Sequence, residues 1–190
     1  ESILKSLESL AQGSPADVLF AAALALAPAP VKDMVTRSRL ESAQAESALK
    51  ELLEAGSLLA LEDGQPTITN DQLLIALPHW NALRDKTLQF VEAHHKSFPL
   101  RKGMPREELK SKLKLLPRVF NALLTQYATR NILKDSAAFV CLPSHKVTFD
   151  GPQQAKVTGM MRRFAANPFG PPRVKECQAE VGDEVFAALI

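Results

Sequence analysis

The sequence predicts a mainly α chain with small β-hairpins, an α+β fold built from one unit repeated in tandem. Three observations carry this. Leu and Ala dominate, beside nine Phe, one Tyr and one Trp, a balance that favours helices over a strand-rich sandwich. Helix starts and stops recur in sets, and the first two sets end on a hairpin signal. An offset of 75 residues then lays the second set over the first.

The first set opens at Ser14-Pro15-Ala16-Asp17. Ser at the N-cap, Pro at the first helical position and Asp at the third begin a helix that stops before Pro28 and Pro30. Pro30 opens a short second helix from Val31 to about Val35. A third starts near Glu41 or Ser42 and aligns Leu49, Leu52 and Leu53. Gly56 is its expected left-handed cap, since a residue without Cβ enters that conformation freely. A strand Leu58–Leu61, a turn at Glu62-Asp63-Gly64-Gln65 and a second strand around Thr67–Thr69 complete a hairpin. Three helices and a hairpin make a winged helix, a helix-turn-helix with an added wing.

The second set follows the same plan. A long helix from about Trp80 to Lys96 carries Leu83, Thr87, Phe90, Val91 and His94 at helical spacing. Pro105-Arg106-Glu107-Glu108-Leu109 opens a short helix with acidic residues in its first turn. Pro117 opens another, with Val119, Phe120, Leu123, Leu124 and Tyr127 on its apolar side. Strands are expected at Ile132-Leu133 and Phe139–Leu142, around a turn at Asp135-Ser136. At the offset of 75, Leu49 falls on Leu124, Leu52 on Tyr127 and Leu58 on Leu133. Gly56 falls on Asn131, the next most tolerant residue for a left-handed cap.

A third set begins at Asp150, whose capping-box partner is Gln153. Its helix runs through Val157, Met160, Met161 and Phe164 to Asn167-Pro168. Pro171-Pro172 opens a second helix, which Gly182-Asp183 breaks before Val185, Phe186 and Leu189. The expected division is therefore 1–72, 73–145 and 146–190, the last an unfinished winged helix. Glu1 without an initiator Met and Ile190 inside an apolar pattern read as cuts in a longer chain.

Composition narrows the function. The two cysteines, Cys141 and Cys177, form no CxxC pair and fit a reducing cytoplasm better than a disulfide framework. No apolar run reaches the length of a membrane span, so a membrane partner is not expected. Residues 1–71 hold five Lys/Arg against eleven Asp/Glu, while 72–190 hold eighteen against ten. An acidic first part should avoid polyanions, and a basic second part is suited to RNA or DNA.

The segment Pro99-Leu100-Arg101-Lys102-Gly103-Met104-Pro105-Arg106-Glu107-Glu108-Leu109-Lys110-Ser111-Lys112 resembles the second winged-helix module of bacterial selenocysteine-specific translation elongation factors. Their pattern there is approximately Pro-Leu-Arg-x-Gly-x-x-Arg-Glu-Glu-Leu-Arg-x-Arg, with Lys110 and Lys112 standing for arginines. Pro117-Arg118-Val119 and the run Pro168 to Glu176 extend the likeness over about 77–190. In the first seventy residues only the architecture agrees. The resemblance implies an arm of four winged helices whose last grips an mRNA hairpin beside a recoded UGA codon. It also implies a GTPase part that carries selenocysteinyl-tRNA. GTP and Mg belong to that part, since no GxxxxGK[ST] loop occurs here, and no cofactor is expected in this fragment. The expected partners are RNA (the hairpin through a module beyond this chain, with ribosome or tRNA nearby), and the expected state is a monomer.

Seven cations, Arg101, Lys102, Arg106, Lys110, Lys112, Lys114 and Arg118, stand against Glu107 and Glu108 within eighteen residues. They suit phosphate contacts; the alternative is a solvated helix face paired locally to those two glutamates. Arg101 and Arg106 bracket a helix entry and have a structural reading as well. No aromatics interleave there, so readout of base sequence is not expected. No catalytic residue is expected: Ser144-His145 near Asp150 lacks a nucleophile elbow. His79, His94, His95 and His145 lack partners at metal spacing. Two other classes compete with the translation arm, a tandem winged-helix DNA-binding regulator and a protein-interaction scaffold. A regulator needs a basic third helix, whereas the first carries Glu41, Glu46, Glu51 and Glu54 against Lys50.

Overall fold

A computed structural model describes residues 13–62 and 68–190. Those residues are mainly helical, with two small antiparallel sheets of three strands each. The chain clusters into two compact units, Glu1–Thr87 with Leu113–Arg130, and Leu88–Lys112 with Asn131–Ile190. These units group spatial neighbours and include, with the first set, the residues up to Thr87 and the segment Leu113–Arg130 of the second.

In the first unit, α1 (Pro15–Leu26) starts at the expected Ser14 cap, which Asp17 extends into a capping box. Asp17 N–H donates to the Ser14 hydroxyl at 3.3 Å, and Ser14 N–H to the Asp17 carboxylate at 2.9 Å. Strand β1 (Ala29–Pro30), α2 (Val31–Ser38), α3 (Ser42–Glu54), β2 (Leu58–Ala60) and β3 (Leu73–Ala76) follow. The sheet order is β1-β3-β2, with Ala29 opposite Leu74 and Leu59 opposite Ile75. Leu19, Met34, Leu49, Leu52, Leu58 and Leu74 fill one core.

The wing differs from its expected form. Asp63 to Thr67 lie outside the described residues, and Ile68 and Thr69 are not strand. The second wing strand is Leu73–Ala76, several residues after Thr67–Thr69 where it is expected. All four of its residues are buried because β3 is the central strand. A strand covered on both faces has a continuous apolar run rather than an alternating one. Pro30 is tolerated because β1 lies at the sheet edge.

The second set comprises α4 (Leu77–Ser97), β4 (Met104–Pro105), α5 (Arg106–Leu113), α6 (Pro117–Thr129), β5 (Lys134–Asp135) and β6 (Phe139–Cys141). Its sheet order is β4-β6-β5. The wing strand expected at Ile132-Leu133 lies two residues later, at β5, while Leu133 is buried as its match to Leu58 requires. Ser136 closes the hairpin: its hydroxyl donates to Phe139 O at 2.8 Å and accepts from Phe139 N–H at 3.1 Å. The third set is α7 (Gly151–Ala166), α8 (Val174–Val181) and α9 (Asp183–Leu189). It has the expected Asp150–Gln153 capping box and packs Val157, Met160, Cys177, Val181 and Val185 together.

Backbone geometry makes the repeat sharper than leucine spacing does. Both short helices and both third helices repeat end to end at the offset of 75, α2 on α5 and α3 on α6. Gly56 has φ +69° and Asn131 +53°, as caps at matching places. Arg39 and Lys114 also match, with φ of 57° and 54° just after α2 and α5. Left-handed conformations cost an L residue on the order of 1–2 kcal/mol, so the tight turn between helices imposes them. Gly182, φ 92°, holds the same place after α8. The fifth residue before each turn is Met34, Leu109 or Cys177, none more than 1% exposed. The first two sets, each with its three-stranded sheet, are winged helices.

Candidate nucleic-acid interface

The Pro99 to Lys112 motif has an architectural reading at Arg101, Gly103, Arg106 and Leu109. Gly103 passes so close to β6 that a Cβ there would lie 2.5 Å from Val140 O. Arg101 N–H donates to Phe98 O at 3.0 Å, and its guanidinium lies 4.0 Å over the Phe98 ring. Arg106 clamps the wing through an ion pair with Asp135 of β5, and its own N–H donates to Ala138 O at 3.1 Å. Leu109 is fully buried.

The seven cations fall in two units. Arg101, Lys102, Arg106, Lys110 and Lys112 belong to the second, Lys114 and Arg118 to the first. Four are ion-paired. Lys110 pairs with Glu107 and Lys112 with Glu108 at 3.1 Å, as helical spacing allows. Arg106 holds Asp135, and Arg118 grips Glu62 through two bonds of 2.8 and 2.7 Å. Arg118 also donates to Asp71 O at 2.7 Å. The hydrogen bonds from Arg118 hold the Glu62 carboxyl below its ordinary pKa. Arg101, Lys102 and Lys114 are exposed and lack an acidic partner among the described residues.

Helix α6 is the third helix of its set, and one edge of its outward face is covered, while Arg118, Asn121, Thr125 and Thr129 along the other edge are exposed. Ala122 is 8% exposed and Gln126 4%. The Gln126 amide donates to Leu61 O at 3.4 Å, one residue before the Arg118 partner Glu62. At the offset of 75 the equivalent residues of α3, Ser47 and Glu51, are exposed. The first wing therefore covers part of the face that a DNA-reading helix inserts into a groove.

The description "Elongation factor SelB, winged helix" belongs to a family model that matches residues 88–142. That segment is similar to a SelB winged helix. No curated protein matches the chain.

The second unit also holds a histidine cluster that sequence spacing did not reveal. The His95 ring stacks on His145 at 3.6 Å and 11°, and His95 Nε2 accepts from Leu142 N–H at 3.3 Å. His145 Nε2 lies 2.9 Å from Arg101 O. His94, buried, has Nδ1 3.8 Å from the Glu108 carboxylate, and burial lowers its pKa against that charge. Among the described residues, no three His, Cys, Asp or Glu are placed to hold a metal ion.

Burial, then the charges of His145 and His94, push His95 down to about 4 from 6.5. An unfolded chain thus takes up the proton before the folded one does. The stability that neutral His95 contributes is complete above pH 6.5 and is lost as pH falls towards 4. Protonation also puts an N–H against the Leu142 N–H. Urea denaturation at pH 7.5 and 5 should show wild type losing more stability than His95→Gln; identical losses would contradict this role.

Proposed function

We propose that the chain belongs to the C-terminal winged-helix arm of a selenocysteine-specific translation elongation factor. In this reading the modules 1–72, 73–145 and 146–190 act as spacers in a cytoplasmic monomer. They join a GTP-dependent, tRNA-carrying part to an mRNA-hairpin-binding tip during UGA recoding. The SelB match to 88–142 supports the family. The observation that carries the spacer role is the covered edge of α6: Ala122 and Gln126 are used to seat the helix on the first wing. The other recognition helix, α3, presents exposed Glu51 beside Glu41, Glu46 and Glu54, which repel phosphate. Neither helix suits the DNA-binding regulator. Among the described residues no helix is long and apolar enough to cross a membrane.

RNA contact, in the same reading, is weak and blind to sequence. Arg101, Lys102 and Lys114 are free to neutralise phosphates, while Arg106, Lys110, Lys112 and Arg118 must first leave a carboxylate. Each phosphate contacted adds about 0.9 to the salt slope on a duplex. The test is a titration of an mRNA hairpin from a UGA-recoding site and of an unrelated hairpin, at low and moderate salt. Equal, weak and salt-sensitive binding is expected, reduced by Lys102→Glu with Lys114→Glu. A strong preference for the recoding hairpin would contradict the spacer role.

A further inference from the structure

Residues 167–170 form a turn that holds a ring in water. Asn167, Pro168 and Gly170 stand where a β-turn favours their types, and Gly170 N–H donates to Asn167 O at 3.3 Å. The remaining residue, Phe169, is 102% exposed. A lone exposed leucine is ordinary on a protein surface. A whole phenyl ring presented by a hydrogen-bonded turn is a different matter, since aromatic rings carry the largest apolar area and usually bury it.

Cations flank the turn along the chain. Arg162 precedes it, and Arg173 and Lys175 follow it; all three are exposed and lack an acidic partner among the described residues. Arg163 is used differently. It pairs with Glu180 at 2.6 Å and Glu176 at 3.8 Å, which ties the end of α7 to α8 and so fixes both ends of the connection. Four residues span at most about 14 Å, which keeps Arg173 near Phe169.

We propose that this turn is a binding site for unpaired nucleotides, with a base stacked on Phe169 and phosphates met by Arg162, Arg173 and Lys175. Stacking accepts any base, because every base has a π-face, and the cations supply attraction that salt weakens. An apolar protein surface would cover the ring but strip water from three unpaired cations. A polyanion with planar bases satisfies both features. The proposal stands on these residues and does not depend on the translation-arm reading.

The test uses fluorescence anisotropy with the whole chain and three labelled probes: ten-nucleotide oligouridylate, ten-nucleotide oligothymidylate and a ten-base-pair RNA duplex. At low salt the single strands should bind. Phe169→Ala should weaken that binding roughly fivefold or more. It should leave duplex binding and the melting curve unchanged. Phe169→Trp should keep single-strand affinity, and Arg173→Glu should lower it. Wild-type affinity in Phe169→Ala, or no single-strand binding at low salt, would overturn the proposal. So would self-association that Phe169→Ala abolishes without any binding of the oligonucleotides, because the ring would then belong to a protein contact.

Discussion

Trp80→Ala should destabilise the unit that contains it by about 3–5 kcal/mol. Trp80 is 3% exposed in the first turns of α4, and its ring lies 4.9 Å from that of Tyr127 on α6 at 56°. Tyr127 is itself 1% exposed, so the loss of the indole leaves a cavity against a large ring. Tilted aromatic pairs add roughly 0.5–1.5 kcal/mol beyond the area that they bury. The Arg130 guanidinium, 4.8 Å over the indole, adds a smaller cation–π attraction. Urea denaturation followed by far-UV circular dichroism measures the loss. Leu116→Ala, at a residue 73% exposed just before α6, is the control and should stay within about 0.5 kcal/mol. Equal small effects from both would mean that α6 is not seated on α4.

That seat was only half legible in the sequence. Trp80 and Tyr127 both fall on apolar faces at helical spacing, but periodicity cannot say that one ring meets the other. The local features were easier. Ser14 with Asp17 and Asp150 with Gln153 satisfy orphan N–H groups within one turn, so residue type and spacing nearly determine them. Gly56 and Asn131 announce caps because few residues enter positive φ cheaply. Arg39 and Lys114 enter it without any such sign, since the turn between two packed helices forces them.

Strand β3 was missed for a tertiary reason. Leu73 to Ala76 is buried on both faces by its place between β1 and β2, which removes the alternation that marks a strand. Among the seven cations, the pairs of Lys110 with Glu107 and Lys112 with Glu108 follow from helical spacing. The Asp135 partner of Arg106 and the Glu62 partner of Arg118 are 29 and 56 residues away in sequence, beyond any local rule. Phe169 shows the reverse case. Asn-Pro-Phe-Gly is legible as a turn, yet only the structure shows that its ring is left bare.

The covered edge of α6, at Ala122 and Gln126, is the centre of the account, and chemical labelling reads it most directly. Ala122 and Ser47 occupy equivalent places on the two recognition helices, one buried and one exposed. The native thiols, Cys141 and Cys177, are both buried and give a low background. A maleimide must wait for α6 to leave the first wing before it reaches position 122, whereas position 47 is open at all times. With single cysteines introduced as Ala122→Cys and Ser47→Cys, labelling of the folded chain should be roughly tenfold or more slower at 122. The same rate at both positions would contradict the account, because α6 would then present a free recognition face.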